Sequence, residues 1–89
     1  MSSVEEYVTR IEEACGEDKQ FIVVLRYDLL KEAIARILER AKVEKSISQV
    51  VFDLDYGGVS FRLYSTGKII FRNVKGEQKL KKILGEILL

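Results

Sequence analysis

The stretch SQVVFDLDYGGVSFRLYSTGKIIFR, residues 48–72, decides the fold. Across residues 48–56, Val50, Phe52 and Leu54 fall on one side, and Gln49, Val51, Asp53 and Asp55 on the other. This is the period-two pattern of a half-buried strand. Gly57-Gly58 supplies a hairpin turn. Residues 59–64 alternate again, with Val59, Phe61 and Leu63 against Ser60, Arg62 and Tyr64. Residues 68–72 set Ile69 and Phe71 opposite Lys68, Ile70 and Arg72. Consecutive strands joined by tight turns predict an antiparallel-rich sheet with one apolar face.

Gly67-Lys68, flanked by small hydroxyl residues, raises the question of a phosphate-binding loop. That motif needs GxxxxGK[ST] between a strand and a helix, so that backbone amides converge on phosphate and a hydroxyl reaches magnesium. Here Arg62 stands where the first glycine belongs, Ile69 follows Lys68, and a strand follows rather than a helix. The nucleotide reading fails. Gly67 instead marks a hairpin turn that needs a positive φ.

Working outward, residues 21–27 (FIVVLRY) are short, apolar and β-branched, and read as a strand. Asp28 is placed to cap a following helix. Leu29, Leu30, Ala33, Ile34, Ile37, Leu38 and Ala41 make one apolar stripe, predicting a helix over 29–44 with an Glu32–Arg36 pair on its exposed side. Leu80, Ile83, Leu84, Ile87 and Leu88 mark a last helix. At the other end, Ser3-x-x-Glu6 has capping-box spacing. Val4, Tyr7, Val8, Ile11 and Ala14 recur at helical intervals, so residues 4–15 read as a helix closed near Gly16, with residues 16–20 as a polar connector.

The expected fold is therefore α+β: an N-terminal helix, then β-α-β-β-β-α, with helices on one face of the sheet. Residues 1–89 read as one domain. The other sheet face stays open. It would carry Val51, Asp53, Asp55, Arg62, Tyr64, Lys68, Ile70 and Arg72, joined from the first strand by Ile22, Val24 and Arg26.

Composition removes several functions. Histidine is absent and Cys15 is the lone cysteine. Intrachain disulfides, the usual zinc and copper ligand sets and His-based acid–base schemes are excluded. No catalytic residues can be named, so no enzyme, metal or cofactor is expected. Asp53 and Asp55 share a face, but a third magnesium ligand is not evident. Cys15 reads as a small packed residue. No apolar run approaches the ~20 residues of a membrane span, and the first residues lack a signal-peptide core. A cytoplasmic protein without membrane partners is expected. Abundant Lys and Glu, a single Asn (Asn73) and no Pro fit a thermophile.

The net charge of +1 conceals a polarity. Residues 1–20 hold Glu5, Glu6, Glu12, Glu13, Glu17 and Asp18 against Arg10 and Lys19, a net of −4. Residues 60–89 hold Arg62, Lys68, Arg72, Lys75, Lys79, Lys81 and Lys82 against Glu77 and Glu86, a net of +5. Such polarity fits an anionic partner, or mutual solvation of the two halves, with Lys79, Lys81 and Lys82 as a wetted helix face.

The segment LYSTGKIIFRNVKGEQ, residues 63–78, resembles a repeat of the TATA-box-binding protein family. The likeness runs over residues 21–89 and leaves the N-terminal segment outside. It puts the helix over 29–44 between the family's first and second strands. It places Ile47 and Tyr64 where the family carries phenylalanines that wedge into DNA, and Lys68, Ile70 and Arg72 where strand residues face the minor groove. Asn73 stands at a family glycine, and Lys75 and Glu77 match directly. Arg62 replaces an apolar position, and this chain holds one repeat where the family holds two. The N-terminal domain of type-three ribonuclease H, which holds RNA–DNA hybrid, is similar as well.

The resemblance implies a non-catalytic module that binds DNA or RNA–DNA hybrid through the open face, with weak sequence preference. Ile47, Val51, Arg62, Tyr64, Lys68, Ile70, Arg72 and Arg26 are the implied contacts. Residues 21–27 would then be an exposed apolar edge, which predicts a homodimer that covers it. The alternative is a protein-interaction module, with the open face buried against a protein and Arg62, Lys68 and Arg72 paired with acids such as Asp53 and Asp55. Tyr64 fits either, stacking on a base or packing in a protein interface.

Overall fold

The computed structural model describes residues 4–14, 20–72 and 74–89. Helix α1 (Val4–Tyr7) leads into β1 (Val8–Ala14) and β2 (Gln20–Leu25). A 3₁₀ turn (Tyr27–Leu29) enters helix α2 (Leu30–Arg40). Then come β3 (Lys42–Ile47), β4 (Val51–Tyr56), β5 (Val59–Tyr64), β6 (Lys68–Arg72) and helix α3 (Glu77–Leu88). The strands form one six-stranded sheet in the order β1-β2-β6-β5-β4-β3, antiparallel throughout. The class is α+β.

The alternation read from residues 48–72 sets the burial. Phe61 and Leu63 on β5, Ile69 and Phe71 on β6, and Leu54 on β4 are buried, while their neighbours are not. On β2 the buried residues are Phe21, Val23 and Leu25. These side chains form one cluster with Ala33 and Ile37 of α2 and with Leu80, Ile83, Leu84, Ile87 and Leu88 of α3. Register sets Phe21 opposite Phe71, and Phe71 opposite Phe61. The rings of Phe61 and Phe71 stack with centroids 4.8 Å apart. Burial of each such ring contributes about 1.5–3 kcal/mol.

Arg36 ties the helices together. Its Nη1 donates to the Leu88 carbonyl at the end of α3 (2.9 Å), and its Nη2 to Glu32 Oε1 (3.0 Å). Its guanidinium also lies 5.5 Å from the centroid of the buried Tyr7 ring. A helix's last carbonyls lack partners within the helix, and a cation there also meets the negative end of its dipole.

The structure corrects several expectations, most of them at the sheet edges. Residues 8–14 form a strand, not the continuation of a helix. A β-bulge between Val8 and Arg10 lets Val8 and Ile11 both face inward, opposite Leu25 and Val23. Their spacing of three thus copies a helical interval. The helix expected over 29–44 ends at Arg40, and the chain turns extended at Ala41 into β3, which pairs with β4. The strand expected over 48–56 starts at Val51, because Ser48 and Gln49 form a turn. Asp28 caps nothing: neither the 3₁₀ turn nor α2 has a side-chain cap, and Asp28 faces Arg26 at 3.6 Å.

β2 is not an edge. β1 pairs along its whole length, so the dimer inferred from an uncovered β2 loses its ground. The true edges, β1 and β3, both carry a bulge and several charged side chains, which discourage edge-to-edge pairing. The expectations for Ser3, Cys15, the connector at 16–19 and Asn73 lie outside the described residues.

Two substitutions test this packing. Gly67 has φ +100°, and a Cβ there would sit 2.8 Å from Leu30 Cδ1 and 3.6 Å from Leu25 Cβ. Gly67→Ala is expected to cost roughly 1–2 kcal/mol, read as a lower urea midpoint at constant slope. Arg36→Ala is expected to cost about 1–2 kcal/mol in the same titration, from the lost carbonyl and ring contacts.

Candidate nucleic-acid interface

Pleating sends the other half of each strand to the face opposite the helices. One register row crosses all six strands: Glu12, Ile22, Ile70, Arg62, Asp53 and Lys45. Beside it, Arg10 lies opposite Val24, Val24 opposite Lys68, Tyr64 opposite Val51, and Val51 opposite Ile47. On the other side, Gln20 lies opposite Arg72, Ser60 opposite Asp55, and Asp55 opposite Lys42. Ile22, Val24 and Ile70 form an aliphatic band across β2 and β6, with Val51 on β4 beyond the Arg62–Asp53 pair, all four half-buried.

Val51, Arg62, Tyr64, Lys68, Ile70 and Arg72 therefore share one surface, as the strand pattern expects, and Ile47, named through the resemblance alone, joins them from β3 opposite Val51. Arg26 does not join them in a strand. It follows β2, is exposed, and turns toward Asp28. Lys42 and Lys45 on β3, and Arg10 and Glu12 on β1, belong to the face although no strand was read there. The signal that would have found them is a bulged edge strand, which no simple period reveals.

The charges fall into two groups. Arg62 is engaged: its Nε donates to Asp53 Oδ1 at 2.7 Å and its Nη2 to Oδ2 at 3.4 Å. Arg10 pairs with Glu12 at 3.2 Å, and Lys42 with Glu44 at 3.9 Å. Lys45, Lys68 and Arg72 make no ion pair with any described residue. A shallow depression of about 250 Å³ opens on the face, lined by Glu44, Asp53, Ser60, Arg62 and Arg72.

At one end of the face, two hairpin tips are joined. Ser65 N–H donates to the Val50 carbonyl at 2.8 Å. The first tip turns through Ser48 and Gln49 at φ 53° and 57°, left-handed conformations that residues other than Gly, Asn and Asp seldom adopt. It leaves Ile47 and Val50 exposed.

Among the described residues, no group of three or more His, Cys, Asp or Glu is placed to hold a metal ion. Asp53 and Asp55 are occupied otherwise, Asp55 accepting from Gly58 N–H at 3.3 Å and facing the Ser60 hydroxyl at 3.5 Å. No described helix is long and apolar enough to cross a membrane.

No family model, curated protein or solved structure matches the chain. The class is thus defined by the chain's own geometry. It is an α+β domain whose open antiparallel sheet has a face that no described helix covers, on which aliphatic and basic side chains lie side by side.

The Arg62 hydrogen bond, reinforced by the positive charges of Arg62, Lys45 and Arg72, holds Asp53 below its ordinary pKa of 3.8; partial desolvation opposes this. A depressed carboxylate stabilises the fold above its unfolded pKa, and that stability is lost as pH falls through the folded value. Asp53→Asn is therefore expected to be less stable than wild type near neutral pH. The gap, under about 1 kcal/mol for so exposed a pair, should begin to narrow below about pH 4 and close once the pH is below the folded value. Urea titrations at the two acidities measure it.

Proposed function

We propose that the open sheet face is a nucleic-acid-binding surface of weak sequence preference, and that the domain is a non-catalytic module of the TATA-binding-protein-like kind. The observation that carries this is the surplus of cations beside aliphatic side chains on a face that no described helix covers. Lys45, Lys68 and Arg72 make no ion pair with any described residue and would meet phosphates. Ile70, Val51, Ile47 and Tyr64 would lie against sugars and base edges. Phosphate contacts give affinity and orientation without reading sequence, which fits a surface with few base-reading side chains. The family resemblance over residues 63–78 supports the same reading, as does a helix (α2) between the first two strands of the resembling region. A single chain presents the whole face, so the proposal needs no dimer.

The second reading is a protein partner covering the face. The Arg62–Asp53 pair favours it, because a neutralised pair suits a protein interface better than it suits a polyanion.

Fluorescence anisotropy with labelled duplex DNA, RNA–DNA hybrid and single strand separates the two. Binding is expected to weaken steeply with salt. A Lys45→Ala/Lys68→Ala/Arg72→Ala variant should lower the log–log salt slope by about 0.9 per lost duplex phosphate contact, or roughly 3 in all. Absence of binding to every ligand at low salt would overturn the proposal and turn attention to a protein.

A further inference from the structure

We infer that Asp53 is an affinity-limiting residue of the open face: its carboxylate occupies Arg62 and keeps the central guanidinium from an anionic partner. The inference rests on the nucleic-acid reading above and names what restrains that same site.

The geometry sets Arg62 apart from its neighbours. It is the face's one described cation with a close two-pronged carboxylate contact, at 2.7 and 3.4 Å, to a residue directly opposite on the adjacent strand. Two planar forks meeting in this way make the strongest common form of side-chain ion pair. Both partners are fixed by the β4–β5 ladder, so little further ordering is needed to hold them together. A phosphate approaching Arg62 must displace a carboxylate already in place. It must also approach a second acid, because Glu44 lines the same depression. Asp53 acts on a second cation as well, since Lys45 stands opposite it on β3. One carboxylate thus lies between two cations of the central row.

Asp55 provides the contrast. It also lies on β4 and faces the same way, yet its partners are the Gly58 amide and the Ser60 hydroxyl, and no arginine opposes it. Removing its charge changes the net charge of the face by the same amount as removing that of Asp53. Only the Asp53 change releases an arginine. Asp53→Asn keeps the size and shape of the side chain, and Asp53→Thr offers a second neutral residue that suits a strand.

The test is anisotropy with the same labelled duplex DNA and RNA–DNA hybrid, at fixed low salt and across a salt series. The proteins are wild type, Asp53→Asn, Asp53→Thr, Asp55→Asn, Arg62→Ala and the Asp53→Asn/Arg62→Ala double variant. Both Asp53 variants are expected to bind about tenfold tighter than wild type, the scale of one added hydrogen bond to a charged group. Their salt slope should steepen by about one phosphate contact. Asp55→Asn should gain much less, Arg62→Ala should bind more weakly than wild type because it leaves the Asp53 carboxylate unpaired, and the double variant should lose the gain. Wild-type binding with Asp53 variants no tighter than Asp55→Asn would overturn the inference and leave the binding surface standing. A gain that survives in the double variant would overturn it too, since Arg62 would then not be the released group. If neither wild type nor the Asp53 variants bind either ligand, the nucleic-acid reading itself fails and the inference falls with it.

Discussion

Phe21, Phe71 and Phe61 stand side by side on β2, β6 and β5, and the sheet is held together through them. Every other strand pairing joins chain neighbours: β1 with β2, β3 with β4, β4 with β5, β5 with β6. The β2–β6 pairing alone brings together parts of the chain separated by α2 and the hairpins. The aromatic row lies across that seam, and each residue in it is 3 % exposed or less. Both helices then pack on the surface that the row creates, which is why α2 and α3 share one cluster with it.

The centre of the molecule was legible in the sequence and its margins were not. Strands β2, β4, β5 and β6 either alternate strictly or form a short β-branched run, and glycine turns separate the last three. Their inward and outward residues follow directly. β1 and β3 are the two edges, and both are bulged. At β1 the bulge turns a strand's period of two into a local spacing of three, so Val8 and Ile11 imitate a helix. At β3 every residue is exposed, and Val43 is 44 % accessible although it lies opposite buried Leu54. Hydrophobic patterning is silent where neither face is buried. The candidate face inherits this division. Val51, Arg62, Tyr64, Lys68, Ile70 and Arg72 come from legible strands, whereas Arg10, Glu12, Lys42, Lys45 and Ile47 are supplied by the edges that patterning missed.

Counting cations overstates what the open face offers. Arg62, Arg10 and Lys42 each have an acid close by, and the free charges reduce to Lys45, Lys68 and Arg72 among the described residues. Two of these flank Ile70 on β6, near the middle of the sheet. The Arg62–Asp53 contact was already implicit in the alternation, because residues directly opposite on neighbouring strands must share a face. What the linear sequence left open was the register that makes them opposite.

The single distant pairing has a kinetic consequence. Hairpins close cheaply, since their ends are already near one another, and β3 to β6 form a continuous meander of such closures. Joining β2 to β6 instead closes a large loop, whose entropy must be lost before the phenylalanine contacts compensate. The meander can thus assemble in microseconds as a ribbon, with the slower docking of β2 deciding when the molecule becomes native. Until that step, Phe71 lacks its partner strand β2, and the chain is at its most adhesive toward other copies of itself.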